Sequence, residues 1–100
     1  MEKTIRWGIL GTGKIAKAFA AALREVPDAE LAAVASRSQD SATAFTQEYG
    51  GRAHGSYQAL ADDAGVDVIY IATPHAMHHE NALMCLQAGK ALLIEKAFTL

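Results

Sequence analysis

Short apolar runs alternate along this chain with longer stretches in which apolar residues recur every three or four positions. The first run is Ile5 to Leu10 (IRWGIL), and Gly11-Thr12-Gly13 follows it at once. That is the pattern of a buried strand entering a tight turn. From Lys14 to Val26 the bulky apolar residues are Ile15, Phe19, Leu23 and Val26, at offsets of four, four and three. The spacing predicts a helix with those four on its packed face, ended by Pro27-Asp28. Glu30 to Ser36 (ELAAVAS) reads as a second buried strand. Asp40 or Ser41 is the expected cap of the next helix, in which Ala42, Phe45 and Tyr49 share a face before Gly50-Gly51 stops it. Ala53-His54 predicts a very short third strand, and Ser56 a cap for a brief helix to about Ala61. Val66 to Ala72 (VDVIYIA) carries the strongest strand pattern, since Val68 to Ile71 are all β-branched or aromatic. Thr73-Pro74 breaks it. Met77 to Ala88 predicts a helix ended by Gly89, and Ala91 to Glu95 (ALLIE) a fifth strand.

Strands that are apolar on both faces suit a parallel sheet covered by helices on each side. Right-handed crossovers then give an α/β, Rossmann-type doubly wound sheet of about five strands in the order 3-2-1-4-5. Ligands of such a sheet lie at the carboxyl ends of the strands, near the switch between strands 1 and 4.

Composition narrows the function classes. Nine Lys+Arg against eleven Asp+Glu leave no basic surplus for gripping nucleic acid. The single cysteine, Cys85, makes neither an internal disulfide framework nor a multi-cysteine zinc site. No apolar run approaches the ~18 residues of a membrane span, and the first ten residues lack a signal-peptide core. The expectation is a cytoplasmic, soluble domain without nucleic-acid or membrane partners.

The turn Gly11-Thr12-Gly13-Lys14-Ile15-Ala16 lies between strand 1 and helix 1, the context in which a glycine-rich turn carries chemistry. Gly11 permits the sharp turn, and Gly13 lets the backbone approach a pyrophosphate. Ala16 lets the helix pack close to the strands, and phosphates meet unpaired N–H groups at the helix start. Dinucleotide binding is the leading reading of the turn, with Gly11, Thr12, Gly13, Lys14 and Ile15 as contacts. The other reading is a structural turn in a different α/β domain.

At the end of strand 2 stands Ala35-Ser36-Arg37-Ser38, where NAD-binding folds place an acid for the ribose hydroxyls. A carboxylate there would repel a 2′-phosphate, whereas Arg37 can pair with phosphate and stack on adenine. Ser36 and Ser38 add hydroxyl donors. The expected cofactor is therefore NADP, with NAD as the alternative; Asp40 nearby weakens the preference.

Two later loops face the same end of the sheet. Ala72-Thr73-Pro74-His75-Ala76-Met77-His78-His79-Glu80 leaves it beside the glycine turn. Ala72, Thr73 and Pro74 are expected to line the cofactor site, and His75 or His78 to contact cofactor or substrate, with exposure at a helix start as the alternative. His79 is expected in solvent. The histidines have helical spacing for a metal, but no carboxylate–histidine signature accompanies them, and no metal site is assigned. Glu95-Lys96 closes strand 5, so one of the two side chains faces a ligand there. A lysine so placed can relay a proton during hydride transfer; a surface pair with Glu95 is the alternative.

These motifs together resemble the Gfo/Idh/MocA oxidoreductases. The resemblance rests on RWGILGTGKIA near the start, ASRS after strand 2, ATPHAMHHE after strand 4 and AGKALLIEK at strand 5. The segments GSYQALA and NALMCLQAGKA look most like the dihydrodiol dehydrogenase and NADP-dependent xylose dehydrogenase branch. The resemblance implies a hydride exchanged between NADP(H) and a sugar, polyol or cyclic diol. It implies that Gly11, Gly13 and Ala16 form the phosphate turn and that Arg37 contacts the 2′-phosphate. It sets Thr73, Pro74 and His78 beside the nicotinamide, and Glu95 and Lys96 in the family's E-K-P motif, with Lys96 as the catalytic lysine. The proline of that motif is Ala97 here, and proline fixes φ, so the lysine's loop is expected to be less rigid.

Family members also carry a carboxyl-terminal domain that completes the substrate site and makes homo-oligomer contacts. The expectation for residues 1–100 is thus a partial amino-terminal dinucleotide-binding domain with an open sheet edge. It would hold part of a cofactor and would not turn over substrate alone. A dinucleotide-sensing module without turnover is the alternative function.

Overall fold

The computed structural model describes residues 4–94. Five strands and four helices follow one another: β1 (Ile5–Leu10), α1 (Lys14–Leu23), β2 (Ala29–Ala35), α2 (Gln39–Tyr49), β3 (Arg52–His54), α3 (Tyr57–Ala61), β4 (Val68–Ile71), α4 (His78–Gln87) and β5 (Ala91–Ile94). A single 3-10 turn, His75–Met77, leads into α4. All strands are parallel, in the order β3-β2-β1-β4-β5. The expected element types, their sequence and the sheet order are all present.

Alternation along the strands builds two cores. Ile9, Val34 and Tyr70 stand side by side in register and pack with Ala16 and Ala20 of α1 and Phe45 of α2. Their neighbours Leu10, Ala35 and Ile71 point to the other face, where Leu60 and Ala61 of α3 and Cys85 of α4 meet them. Successive strand side chains go to opposite faces, so one sheet fills both layers. Gly8 makes the second layer fit: a Cβ there would lie 3.0 Å from both Leu60 and Val66 side chains.

The packed face of α1 differs from the periodicity-based expectation. Its buried residues are Ala16, Ala20 and Leu23, while Ile15 is 57% exposed and Val26 47% exposed. Small residues win the sheet side because they let the helix axis come close, and Phe19 reaches past them to stack on Tyr70 at 3.8 Å between ring centroids. The helix also stops at Leu23, with the chain closing through tight turns to Val26. The cap of α2 is Ser38, whose hydroxyl accepts from the Ser41 amide at 3.4 Å, not Asp40 or Ser41. Strand β4 begins at Val68; Val66 is buried ahead of it, and Asp67 N–H donates to the Arg6 carbonyl at 2.7 Å. Ser56 caps α3 as its sequence suggests, accepting from Ala59 N–H.

The loop before β4 is a structural clamp. Asp63 accepts from Arg52 and His54 of β3, with His54 Nε2 at 2.8 Å, and from the Gly65 amide. Lys90 Nζ, just before β5, donates to the Asp63 backbone carbonyl at 2.7 Å. Burial opposes charge on Asp63, but the hydrogen bonds from His54, Gly65 and Arg52 outweigh it and hold the carboxyl at about 2.

Candidate dinucleotide site

A cleft of about 690 Å³ opens at the carboxyl ends of the strands. The loops after β1, β2, β3 and β4 form its walls, each for a local reason.

The β1–α1 turn forms the centre. Gly11 holds φ +105, a conformation that favours glycine. A Cβ on it would lie 3.1 Å from the Ala72 carbonyl oxygen, so the turn and the end of β4 are in backbone contact. Gly13 is different. It is extended (φ −82, ψ −165) and a Cβ there would meet nothing within 4 Å. No side chain caps α1 and no acid lies in its first turn. Its first N–H groups and the positive end of its dipole therefore face the cleft without a protein carboxylate, the arrangement that receives phosphate. Thr12, Lys14 and Ile15 complete this part of the lining. The exposure of Ile15, which contradicts a packed role, is explained by its place in the cleft wall.

From the β2–α2 loop come Ser36 and Arg37. Ser36 N–H donates to the His54 carbonyl at 3.1 Å, which ties this loop to the end of β3. Ser38 is not in the cleft; its hydroxyl is used to cap α2. Among the described residues that line the cleft, Lys14 and Arg37 are positive and none is an Asp or Glu. A chain of net charge −2 thus gathers cations where an anion would sit.

The β4–α4 loop supplies Ala72, Thr73, Pro74, His75 and His78. Thr73 is fixed twice: its hydroxyl donates to Oδ1 of the buried Asn81, and its carbonyl accepts from His78 Nε2 at 2.8 Å. That bond assigns the proton to Nε2 and leaves Nδ1 for other contacts. The His75 and His78 rings meet edge to face, 5.2 Å between centroids, and His79 lies exposed. Among the described residues, no group of three or more His, Cys, Asp or Glu could hold a metal ion, and no helix is long and apolar enough to cross a membrane.

Sequence reasoning missed three residues of this site. Tyr57 and Ile71 line the cleft, and Asn81 supports it. Ile71 ends the apolar β4 run and could have been included. Tyr57 was hidden by the brevity of β3 and α3, and Asn81 by a pairing across eight positions. Glu95 and Lys96, together with Ala97, lie outside the described residues.

A parallel sheet with its strand order reversing beside an uncapped, glycine-led helix defines a dinucleotide-binding Rossmann domain. Comparison with known proteins makes this specific. Residues 5–100 match the model of GFO_IDH_MocA, the oxidoreductase family with an NAD-binding Rossmann fold, and the chain belongs to that family. It is 45% identical over 95 residues to mouse trans-1,2-dihydrobenzene-1,2-diol dehydrogenase, covering 92% of this chain and 28% of that protein. It is 42% identical over 109 residues to D-xylose 1-dehydrogenase (NADP(+)) of Hypocrea jecorina, covering 96% and 28%. The chain thus spans under a third of the length of these relatives. Among solved structures, it matches KijD10, a 3-ketoreductase from Actinomadura kijaniata in complex with TDP-benzene and NADP, with a TM-score of 0.90 and 38% identity. That match covers 94% of this chain and 30% of the other. The branch expected from the sequence motifs is the branch found.

Proposed function

We propose that residues 1–100 are the NADP(H)-binding part of an oxidoreductase that moves a hydride between the cofactor and a sugar, polyol or cyclic diol. The observation that carries the reading is the cleft itself. An uncapped α1, an open face at Gly13, and Lys14 with Arg37 surround a space free of carboxylates among its described lining residues. These groups fit a pyrophosphate and a 2′-phosphate. When bound, the nicotinamide supplies the hydride chemistry. The residues of this chain bind and orient: α1 amides take the pyrophosphate, Arg37 the 2′-phosphate, and the Thr73–His78 loop borders the other half.

Lys96 is the proposed catalytic residue, holding or delivering the proton of the substrate hydroxyl. The support is its place in the family's Glu-Lys motif, two positions after β5. The dehydrogenases named above support the substrate class. A carboxyl-terminal substrate domain with homo-oligomer contacts and a cytoplasmic location belong to the same proposal.

Titration with NADPH and with NADH, followed by nicotinamide fluorescence, tests the reading. NADPH is expected to bind more tightly, and equal or absent binding refutes the assignment made from Arg37. In a full-length protein carrying this chain, Lys96→Ala should keep NADPH binding and lose turnover. Surviving turnover overturns the catalytic role.

A further inference from the structure

Tyr57 opens α3, three residues beyond the end of β3, and is half-buried in the wall of the cleft that also holds Ser36 and Arg37. Among the described residues lining that cleft it is the one phenol-type aromatic; the other rings are the imidazoles of His75 and His78, on the β4–α4 loop. Its position is built rather than incidental. Its inner side packs against the core that contains Leu60 and Ala61. The strand that leads into it is pinned to α2, because Gln39 Nε2 donates to the Ala53 carbonyl of β3 at 3.3 Å. Gly55 lies so close to Gln39 that a Cβ would come within 2.8 Å of its side-chain oxygen. Ser36 N–H on the His54 carbonyl joins the β2–α2 loop to the end of β3 as well. A flat ring is thereby held, backed by core, on the wall shared with the phosphate-directed Arg37.

We propose that Tyr57 is the adenine platform of the site, an affinity-determining residue that offers its ring face to the purine. The proposal rests on the dinucleotide reading above. Aromatic faces take bases by stacking, with little demand on hydrogen-bond pattern. The pinned loops mean that the ring loses little freedom on binding. Arg37 then carries the choice between NADPH and NADH, while Tyr57 carries affinity common to both.

The test uses the chain with Tyr57→Leu and Tyr57→Phe, and two half-ligands: 2′,5′-ADP, which has the base, and reduced nicotinamide mononucleotide, which lacks it. Tyr57→Leu should weaken 2′,5′-ADP about 10-fold and leave the mononucleotide unchanged, and Tyr57→Phe should bind both as the parent does. Unchanged 2′,5′-ADP binding in Tyr57→Leu overturns the platform alone. An equal loss for both half-ligands makes Tyr57 a structural support and overturns it too. A loss in Tyr57→Phe as large as in Tyr57→Leu assigns the contact to the hydroxyl, against stacking. A parent chain that binds none of 2′,5′-ADP, NADPH and NADH overturns the dinucleotide reading itself.

Discussion

Two glycines of one turn should respond to the same substitution in opposite ways. Gly11→Ala places a Cβ at φ +105 and 3.1 Å from the Ala72 backbone carbonyl oxygen. A side chain held in so sparse a region costs about 1–3 kcal/mol. For a domain of this size each kcal/mol lowers Tm by about 4–8 °C. Gly13→Ala places its Cβ in open space at an ordinary extended φ of −82. Alanine there restricts the unfolded chain, so stability should be unchanged or higher by about 0.4–1 kcal/mol. Its cost falls on the ligand, because the methyl occupies the approach to the α1 amides. An overpacked contact of about 1–3 kcal/mol weakens NADPH by about 5- to 150-fold. Urea unfolding of both variants measures the first pair of effects, and NADPH fluorescence titration of Gly13→Ala the second. Unchanged NADPH affinity in Gly13→Ala would falsify the close-approach argument. A Gly11→Ala chain as stable as the parent would refute the backbone argument.

Other outcomes follow from the same structure. Arg37→Ala should weaken NADPH by about 10- to 150-fold, the worth of a hydrogen bond to a charged group, and leave NADH nearly unchanged; parallel losses refute a 2′-phosphate contact. The Asp63 carboxyl is only 11% exposed and is lowered from 3.8 to about 2, which contributes roughly 2 kcal/mol of stability. Because the folded value is the lower one, that stability is present above about pH 4 and lost as pH falls through about 2. Urea midpoints for Asp63→Asn and the parent should therefore differ at pH 7 and converge near pH 2, and a gap that persists at pH 2 contradicts this account. Cys85 is fully buried, and burial pushes its thiol up to about 11 against the opposing charge of Lys90. Iodoacetamide should label it only after denaturation.

The fold was legible because β4 is a continuous apolar run, β1 and β2 are apolar but for Arg6 and Glu30, and the helices between them are bounded by Gly, Pro and Ser. The cleft was largely legible for the same reason, since its walls are the loops that follow named strands. Periodicity misjudged α1, where side-chain bulk pointed to Ile15 and Val26 while the sheet selected Ala16 and Ala20 for their small size. Spacing alone carries no record of how near two elements must come. Ser38 shows a second limit: a hydroxyl beside a predicted phosphate contact serves equally as a helix cap, and only geometry decides. Tyr57 stayed hidden because a strand of three residues and a helix of five give pattern methods little to measure.

The unfinished start of α1 has one more consequence. A helix whose first amides lack a side-chain partner leaves them to water until an anion arrives, and the bound ligand then becomes part of the secondary structure. Melting temperature is then a gauge of cofactor supply. At a concentration 100 times Kd, the bound form gains about 2.7 kcal/mol, enough to raise Tm by some 10–20 °C in a domain of this size. A chain short of the dinucleotide, whether oxidised or reduced, would be held in its more easily unfolded form.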